Sequence, residues 1–456
     1  MLNHLDPASV LAFGLLSFAL VMVIVFEATN GFHDAANAVA TVIYTKSLQA
    51  GQAVFLSGVL NFVGVLVGGI AVAYALVELM PAEVLSPPDG GPAVAMLVSL
   101  FVAALSWNIG TWWFGLPNSS SHCLIGSLIG IALGNAFARS RSLAGGLFFL
   151  CRRTLHDKHL YEPVTDKPPI WWMRGILILT CSGVSFAHGT NDGQKSIGLI
   201  MLVIIGIFPA TYALNPAGGQ SLQNMAISMN QAEPLLRKYG DDEKASALSA
   251  IQSIKAQAES ESNGAGSDKS APDPISGRRA LELGPGSNGA RQRSRVRDNV
   301  YRVISELKHA EESSGISVDE KKQARAIGKD LGHSVEYAPI WVRLLSALCL
   351  GIGTMIGYRR IVTTLGERLG NVHLTPAQGA SAEVVSALLI GTAGFTGLPV
   401  STTHIVTSGI AGTMVTSGAG LRYGMISRIV IAWLVTLPVT ITIAGGLYYL
   451  LASPKF

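Results

Sequence analysis

Charge is scarce in this sequence. Only 14% of its 456 residues are Asp, Glu, Lys or Arg, while 49% are hydrophobic; a soluble domain carries about 25% charged residues. Most of the charges crowd into a few short stretches, so the deficit elsewhere is deeper still. A soluble core built from such segments would have no polar face to turn to water. Cysteine is almost absent. Cys123, Cys151, Cys181 and Cys349 sit in or beside apolar runs, and no CxxC pair occurs. That spacing suits neither a zinc module nor a disulfide framework, and the four read as small buried hydrophobes. The net charge of +4 is spread over connecting loops, which gives nucleic acid no basic patch to bind. Met1-Leu2-Asn3-His4-Leu5-Asp6 lacks the basic start of a cleavable signal, so the first apolar run reads as a retained span.

What the chain does have is long apolar runs. They cover 9–27, 52–79, 93–113, 117–137, 170–187, 195–213, 340–357, 381–395, 401–416 and 426–451. Many approach the roughly 20 residues that a helix needs to cross a bilayer. The fold class expected is an all-α polytopic membrane protein with about 10–12 membrane segments, some of them discontinuous. Its organisation reads as a first membrane repeat (1–137), a basic connection (138–169), the start of a second repeat (170–213), a soluble charged insert (214–336) and the remainder of the second repeat (337–456).

The insert carries about half of all the charges. Within it SNGAGSDKSAPDPISG (262–277) and GPGSNGARQRSR (284–295) read as flexible linkers. Residues 291–312 and 317–331 read as polar helices, the second opened by a capping box, Ser317-Val318-Asp319-Glu320. Basic residues place the insert and the 138–169 connection on the cytoplasmic side. The loop 80–92 and the N-terminus lack Lys and Arg and belong outside. Counting crossings exposes a conflict: only LAGGLFFLC (143–151) is available to bring Arg152 and Arg153 back inside. Nine helical residues reach about 14 Å of the roughly 30 Å required. Either 117–137 does not fully cross or a span is missing. Arg359, Arg360 and Arg368 pose the same parity problem after 340–357.

Two polar motifs occur twice. EATNGFHDAANAVAT (27–41) and SFAHGTNDGQKSIG (185–198) each hold Gly-x-x-Asp, ending at Asp34 and Asp192. FGLPNSSSHCLIG (114–126) and FTGLPVSTTHIVTSG (395–409) each hold Gly-Leu-Pro, a spacer, three hydroxyl residues and a His. The order is Asp motif, Gly-Leu-Pro knot, Asp motif, Gly-Leu-Pro knot, which is an internal duplication. Duplicated halves with Gly/Pro-interrupted apolar segments point to a secondary transporter.

The chemistry follows from what a broken helix leaves free. Its N–H groups have no partner in lipid, so a break must line a cavity or be buried in protein. Those N–H ends carry partial positive charge and attract anions. Pro117 and Pro399 stand where a helix begins, and Ser119, Ser120, Ser121, Ser401, Thr402 and Thr403 fill the first turn with hydroxyl donors. Such a donor set suits an oxyanion such as phosphate or sulfate. Asp34 and Asp192 cannot attract an anion, but they can hold a cation or proton that travels with it. Asn37, Asn191 and Gln194 offer both donors and acceptors and are candidate phosphate-binding residues. Lys195 is a candidate counter-charge, or a side chain reaching for the interface. Glu27 is either a site acid or a buried partner. His33, His122, His188 and His404 edge the polar motifs without any metal-binding spacing, so they read as packing or hydrogen-bonding residues. No metal ligand and no cofactor is expected.

These residues resemble those of the inorganic phosphate transporter (PiT) family. GFHDAANAVAT (31–41), HGTNDGQKSIG (188–198) and the two knots carry the likeness, which covers nearly the whole chain outside the insert. The version here is similar to the bacterial low-affinity phosphate transporters. The resemblance implies two inverted repeats with the site between them, multi-pass insertion in the inner membrane, and phosphate and cation sites at Asp34, Asn37, Ser120, Ser121, Asp192, Thr402 and Thr403. It further implies symport with protons or sodium, phosphate travelling with a divalent metal ion in the proton-coupled kind. Two departures stand out. Asp192-Gly193-Gln194-Lys195 replaces the more symmetric Asp-x-x-Asn, placing a fixed charge where the first repeat has Asn37. The stretch 138–151 is shorter than the span that relatives have there. The apolar exterior is compatible with a homodimer. Rival readings are a sulfate permease, a membrane phosphatase, and an anchor for the insert. The phosphatase reading lacks an acid near Ser121-His122 or Thr403-His404 to orient the His as a base.

Overall fold

A backbone inside hydrocarbon must satisfy its own hydrogen bonds, and this chain does so almost entirely with helices. The computed structural model describes residues 7–78, 94–139, 171–207, 212–215, 222–240, 244–264, 287–313 and 315–452. Among the described residues there is no strand, only an isolated bridge between Gly370 and Leu421. The expected linker 262–277, the loop 80–92 and the short stretch 143–151 lie wholly or largely outside the described residues.

Two compact units result, Met1–Val203 with Ala338–Phe456, and Ile204–Tyr337. The first holds α1 (Pro7–Tyr44), α2 (Ala50–Val67), α3 (Ala71–Glu78), α4 (Val94–Trp113), α5 (Ser120–Arg139) and most of α6 (Trp171–Ile207). After the second unit it resumes with α11 (Ile340–Met355), the short α12 (Arg359–Thr363) and its π-helical continuation Thr364–Arg368. It ends with α13 (Pro376–Thr396), α14 (Thr402–Thr416) and α15 (Tyr423–Ala452).

The first unit is turned inside out relative to a soluble protein. On α13, Val384, Val385, Leu388 and Leu389 are exposed, while Gln378, Glu383 and Ser386 are buried. Leu434, Ile431, Leu450 and Leu451 of α15 also point outward. Water would penalise such a surface; hydrocarbon does not. Among the described residues, five helices are long and apolar enough to cross a bilayer: Ser17–Tyr44, Ala50–Val67, Ala95–Trp113, Pro376–Thr396 and Tyr423–Leu451. The chain is therefore a multi-pass membrane protein. Helices α11 and α14, with 16 and 15 residues, are short of a full crossing by themselves.

Small residues let these helices meet. Gly134 of α5 faces Gly445 of α15 so closely that an added Cβ would lie 2.6 Å from the Gly445 carbonyl oxygen. Gly353 of α11 stands in the same relation to Ala28 of α1, at 2.6 Å. Close backbone approach replaces the hydrophobic drive that lipid cannot supply.

Three expectations need correction. The run 9–27 does not end its helix at 27, and 170–187 and 195–213 are not separate segments; α1 and α6 run through the Asp motifs unbroken for 38 and 37 residues. Neither motif contains proline, and a helical glycine costs only about 1 kcal/mol. Buried neighbours satisfy part of the polar side chains' hydrogen-bonding capacity instead. Helices α5 and α14 begin at Ser120 and Thr402, three residues beyond Pro117 and Pro399. The run 52–79 breaks at Gly68-Gly69-Ile70 into α2 and α3.

The second unit contains α7 (Leu222–Tyr239), α8 (Lys244–Gly264), α9 (Ser287–Glu312) and α10 (Val318–Val335). Its core joins Met225, Met229, Leu236, Ile251, Ile254, Val300, Val303 and Leu331. The capping box at Ser317 and Glu320 is formed. Residues 287–295 belong to α9 rather than to a linker. Val296, Val300, Val303 and Leu307 bury one helical stripe, and that docking carries the helix back through the polar residues before it.

Candidate functional site

The two Gly-Leu-Pro knots close in the same way. Gly115 (φ 66°) and Gly397 (φ 79°) take the left-handed conformation that ends a helix without a Cβ clash. The Leu116 N–H reaches back to the Thr111 carbonyl and the Leu398 N–H to the Ala393 carbonyl, both at 2.9 Å. Ser119 and Ser401 then cap the next helices, each accepting from the N–H of the His three residues on, at 3.2 Å. Such caps leave the hydroxyls of Ser120, Ser121, Thr402 and Thr403 at the helix mouth, where N–H groups remain unpaired within the helix.

Different elements hold the knots in place. The first is gripped by α15: the Trp433 indole donates to Pro117 O at 2.9 Å and Thr436 to Asn118 Oδ1 at 2.8 Å. The second is gripped by α6: Asn191 donates to Leu398 O at 3.0 Å and Gln194 to Gly394 O at 3.2 Å. Between the knots, the rings of His122 and His404 pack at a tilt with centroids 4.6 Å apart, and Trp433 packs on His404 at 4.1 Å.

Both knots deliver their hydroxyls to the Asp motifs. Thr403 donates to Asp34 Oδ1, Ser120 to Oδ2 at 3.2 Å and Asn37 to Oδ1 at 3.1 Å. Asn37 also reaches Thr403, at 3.3 Å. Lys195 lies 2.7 Å from Asp192, 2.5 Å from the Ser121 hydroxyl and 3.1 Å from Val400 O. Ser121 donates to the same carbonyl at 2.9 Å. All of these side chains are buried, Lys195 to within 1% of full burial. It therefore does not reach for the interface; it is the counter-charge of Asp192, a buried pair one helical turn apart.

His188 links the two aspartates. Its Nδ1 meets Asn61 Oδ1 at 2.7 Å; that amide oxygen only accepts, so Nδ1 carries the proton. Nε2 then faces Asp34 Oδ2 at 3.7 Å and Asp192 Oδ2 at 3.4 Å. With Nε2 bare, a lone pair and two carboxylates converge, all within 4.8 Å of one another. With Nε2 protonated, the imidazolium is itself the cation between two acids. Asp192 Oδ2, Asn37 Oδ1 and Asn191 Oδ1 are buried acceptors without a donor. The arrangement can thus bind a cation or a proton beside two hydroxyl-bearing helix N-termini, which can bind an oxyanion.

The sequence-derived set is divided by this geometry. Asp34, Asn37, Ser120, Ser121, Asp192, Lys195 and Thr403 come together. Thr402 is buried in the first turn of α14. Gln194 spans backbone groups: its amide donates to Thr190 O and Gly394 O, and its oxygen accepts from Val72 N at 2.9 Å. His188, which by sequence reads as a packing or hydrogen-bonding residue, bridges both motifs. Its place four residues before Asp192 was the available signal, since that spacing shares a helical face. Asn61 and Asn108, polar residues inside apolar runs, were missed. Asn61 orients His188, and the Asn108 carbonyl pairs with His33 Nε2 at 2.8 Å.

A model of the phosphate transporter family matches residues 30–148 and 140–444. The chain is 39% identical to the low-affinity inorganic phosphate transporter PitA of Escherichia coli K12, over 96% of each chain. It is 38% identical to PitB of the same organism over 96% of each, and 37% identical to the low-affinity inorganic phosphate transporter of Buchnera aphidicola subsp. Acyrthosiphon pisum over 98% and 99%. A solved structure of a sodium-dependent phosphate transporter aligns with 96% of this chain and 99% of its own, with 17% identity and a TM-score of 0.46.

Proposed function

The chain belongs to the phosphate transporter family and is a transporter of inorganic phosphate, not an enzyme; from that premise we propose that it is a proton-coupled secondary symporter of the inner membrane, carrying phosphate together with a divalent metal ion. One observation supports this most: the hydroxyls of both knots meet both Asp motifs in a single buried site. In our reading the N-termini of α5 and α14, with Ser120, Ser121, Thr402 and Thr403, receive the anion. Asn37 and Asn191 complete its shell, and Gln194 shapes the backbone around it. The Asp34 carboxylate takes hydroxyl bonds of the kind that phosphate oxygens accept. Arrival of a cation or proton at Asp34, His188 and Asp192 frees those donors for the substrate. The mutual support of cation and anion follows from charge: phosphate carries between one and two negative charges, and a co-bound cation lowers the cost of desolvating it.

The basic residues of the insert favour a cytoplasmic location for 214–336. Sodium coupling is the second reading, favoured by the oxygen-rich donor set of Asp34, Asp192, Asn37 and Asn191, which suits a hard cation. The deciding experiment is labelled-phosphate uptake into liposomes containing the purified protein, under an imposed proton gradient or a sodium gradient, with and without divalent metal. Proton-driven, metal-stimulated uptake is expected. Sodium-driven uptake would replace the coupling ion, and stronger competition by sulfate than by unlabelled phosphate would overturn the substrate.

A further inference from the structure

Three buried acids lie along the facing surfaces of α1 and α6. Glu27 accepts from Ser196, Asp34 meets His188 at 3.7 Å, and Glu383 of α13 joins Thr41 of α1 to Thr180 of α6. The partners on α6 descend in number as those on α1 ascend, so the two helices run antiparallel here. Glu27 and Asp34 are seven residues apart, two helical turns or about 10 Å, and share a face.

These three acids and Asp192 are not equivalent. Asp34 receives three hydroxyl or amide donors and faces His188. Asp192 is paired with Lys195. Glu383 has a hydroxyl on each oxygen. Glu27 has neutral donors on Oε2 only, Ser196 and, at 3.5 Å, Asn30. Its Oε1 is buried without a partner, and among the described residues no cation pairs with it. An ionised carboxylate so placed costs several kcal/mol; a protonated one avoids most of that cost. The other titratable groups that face it are His188 and Asp192 on α6 and Cys349 on α11.

We propose that Glu27 carries the coupling proton of the symport, two turns along α1 from the site that binds phosphate. This rests on the proton-coupled reading. The step is a proton transfer: a water-borne proton bonds to a Glu27 carboxylate oxygen on the outer side, and the same O–H bond breaks to water on the inner side. Ser196 links the event to the substrate site. It sits beside Lys195 and one turn beyond Asp192 on α6, so any movement of α6 that opens the Asp192 site also moves the group that holds Glu27.

The test uses the full-length protein in liposomes, with inorganic phosphate as the probe and two assays. A gradient of one pH unit supports about tenfold accumulation for each coupled proton. Exchange of labelled for unlabelled phosphate at equal pH needs no net proton movement. Wild-type protein that accumulates phosphate on a sodium gradient alone defeats the proton-coupled reading, and this proposal with it. Given proton-driven wild-type uptake, Glu27→Gln is expected to lose the accumulation while exchange stays within about threefold of wild type. Gradient-driven accumulation by Glu27→Gln at the wild-type level overturns the proposal. If Glu27→Gln abolishes exchange as well, Glu27→Asp decides. A shift in the pH profile of driven uptake supports the proposal, and an unchanged profile overturns it.

Discussion

Lys195 is where the two repeats part. Its counterpart Asn37 donates to an aspartate as a neutral amide, whereas Lys195 brings a fixed charge to Asp192 and reaches across to Ser121 of the first knot. Removing one partner of a buried ion pair leaves the other charge unpaired. Lys195→Asn is therefore expected to leave Asp192 able to take a mobile cation, so that driven uptake changes its cation dependence. Uptake in the variant under proton and sodium gradients checks this; an unchanged dependence would remove the special role of the lysine. Asp34→Asn makes a sharper case. Its side-chain amide cannot offer the charged acceptor that Ser120, Thr403 and Asn37 share, and it cannot hold a cation's charge. Coupled uptake should fall to background while the protein remains in the membrane fraction, as immunoblotting would show. At this scale the sequence was informative wherever polarity broke an apolar run twice. Asp34, Asp192, Ser121 and Thr403 could be read that way. Of His188 only the contact with Asp192 could, from the four-residue spacing; the rest of its role depends on Asn61 fixing one nitrogen and on α1 bringing Asp34 to the other.

Among the elements, glycine decides how closely α5 and α15 approach. A Cβ at Gly445 would lie 2.6 Å from the Gly130 carbonyl oxygen, and backbone on both sides leaves it nowhere to move. Gly445→Val should cost about 1–3 kcal/mol by overpacking, seen as a lower melting temperature in detergent, and should loosen Trp433 and Thr436, which anchor the first knot. The start of α10, in the second unit, gives a pH prediction. The Lys238 ammonium, then the Ser317 and Tyr239 hydroxyls, pull the Glu320 carboxyl down from its usual 4.5 to about 2. A depressed carboxyl adds stability that is complete above its unfolded value and is lost as pH falls through the folded one. Amides in the first turn of α10 should accordingly lose hydrogen-exchange protection between about pH 4.5 and 2, and Glu320→Gln should abolish that acid-dependent step. The capping box was visible in four residues because caps are local. The continuity of α1 and α6 was not, because polar residues that look like a connection when read alone are satisfied by neighbours far along the chain. Glu27 finds Ser196 169 positions away, and Asp34 finds Thr403 369 away.

At the scale of the whole molecule, the transport chemistry belongs to one unit and much of the charge to the other. Every residue assigned to phosphate, cation or proton lies within Met1–Val203 or Ala338–Phe456, and none within Ile204–Tyr337. The second unit has its own apolar core and its own ion pairs, Arg237 with Glu233 at 2.7 Å and Lys238 with Glu320 at 2.8 Å. A separate core means that its folding energy is not drawn from the membrane helices. Replacing residues 216–335 with a Gly/Ser linker of about 20 residues, which spans about 25 Å on average, should therefore preserve gradient-driven phosphate uptake to within a few-fold. If the membrane part served mainly to anchor the second unit, the same deletion would leave a membrane protein with no phosphate flux to lose. Uptake normalised to the amount of protein in the liposomes separates the two, since an anchor shows no flux before or after deletion. Loss of flux from a deletion variant that still unfolds cooperatively in detergent would instead make the second unit a working part of the transport cycle.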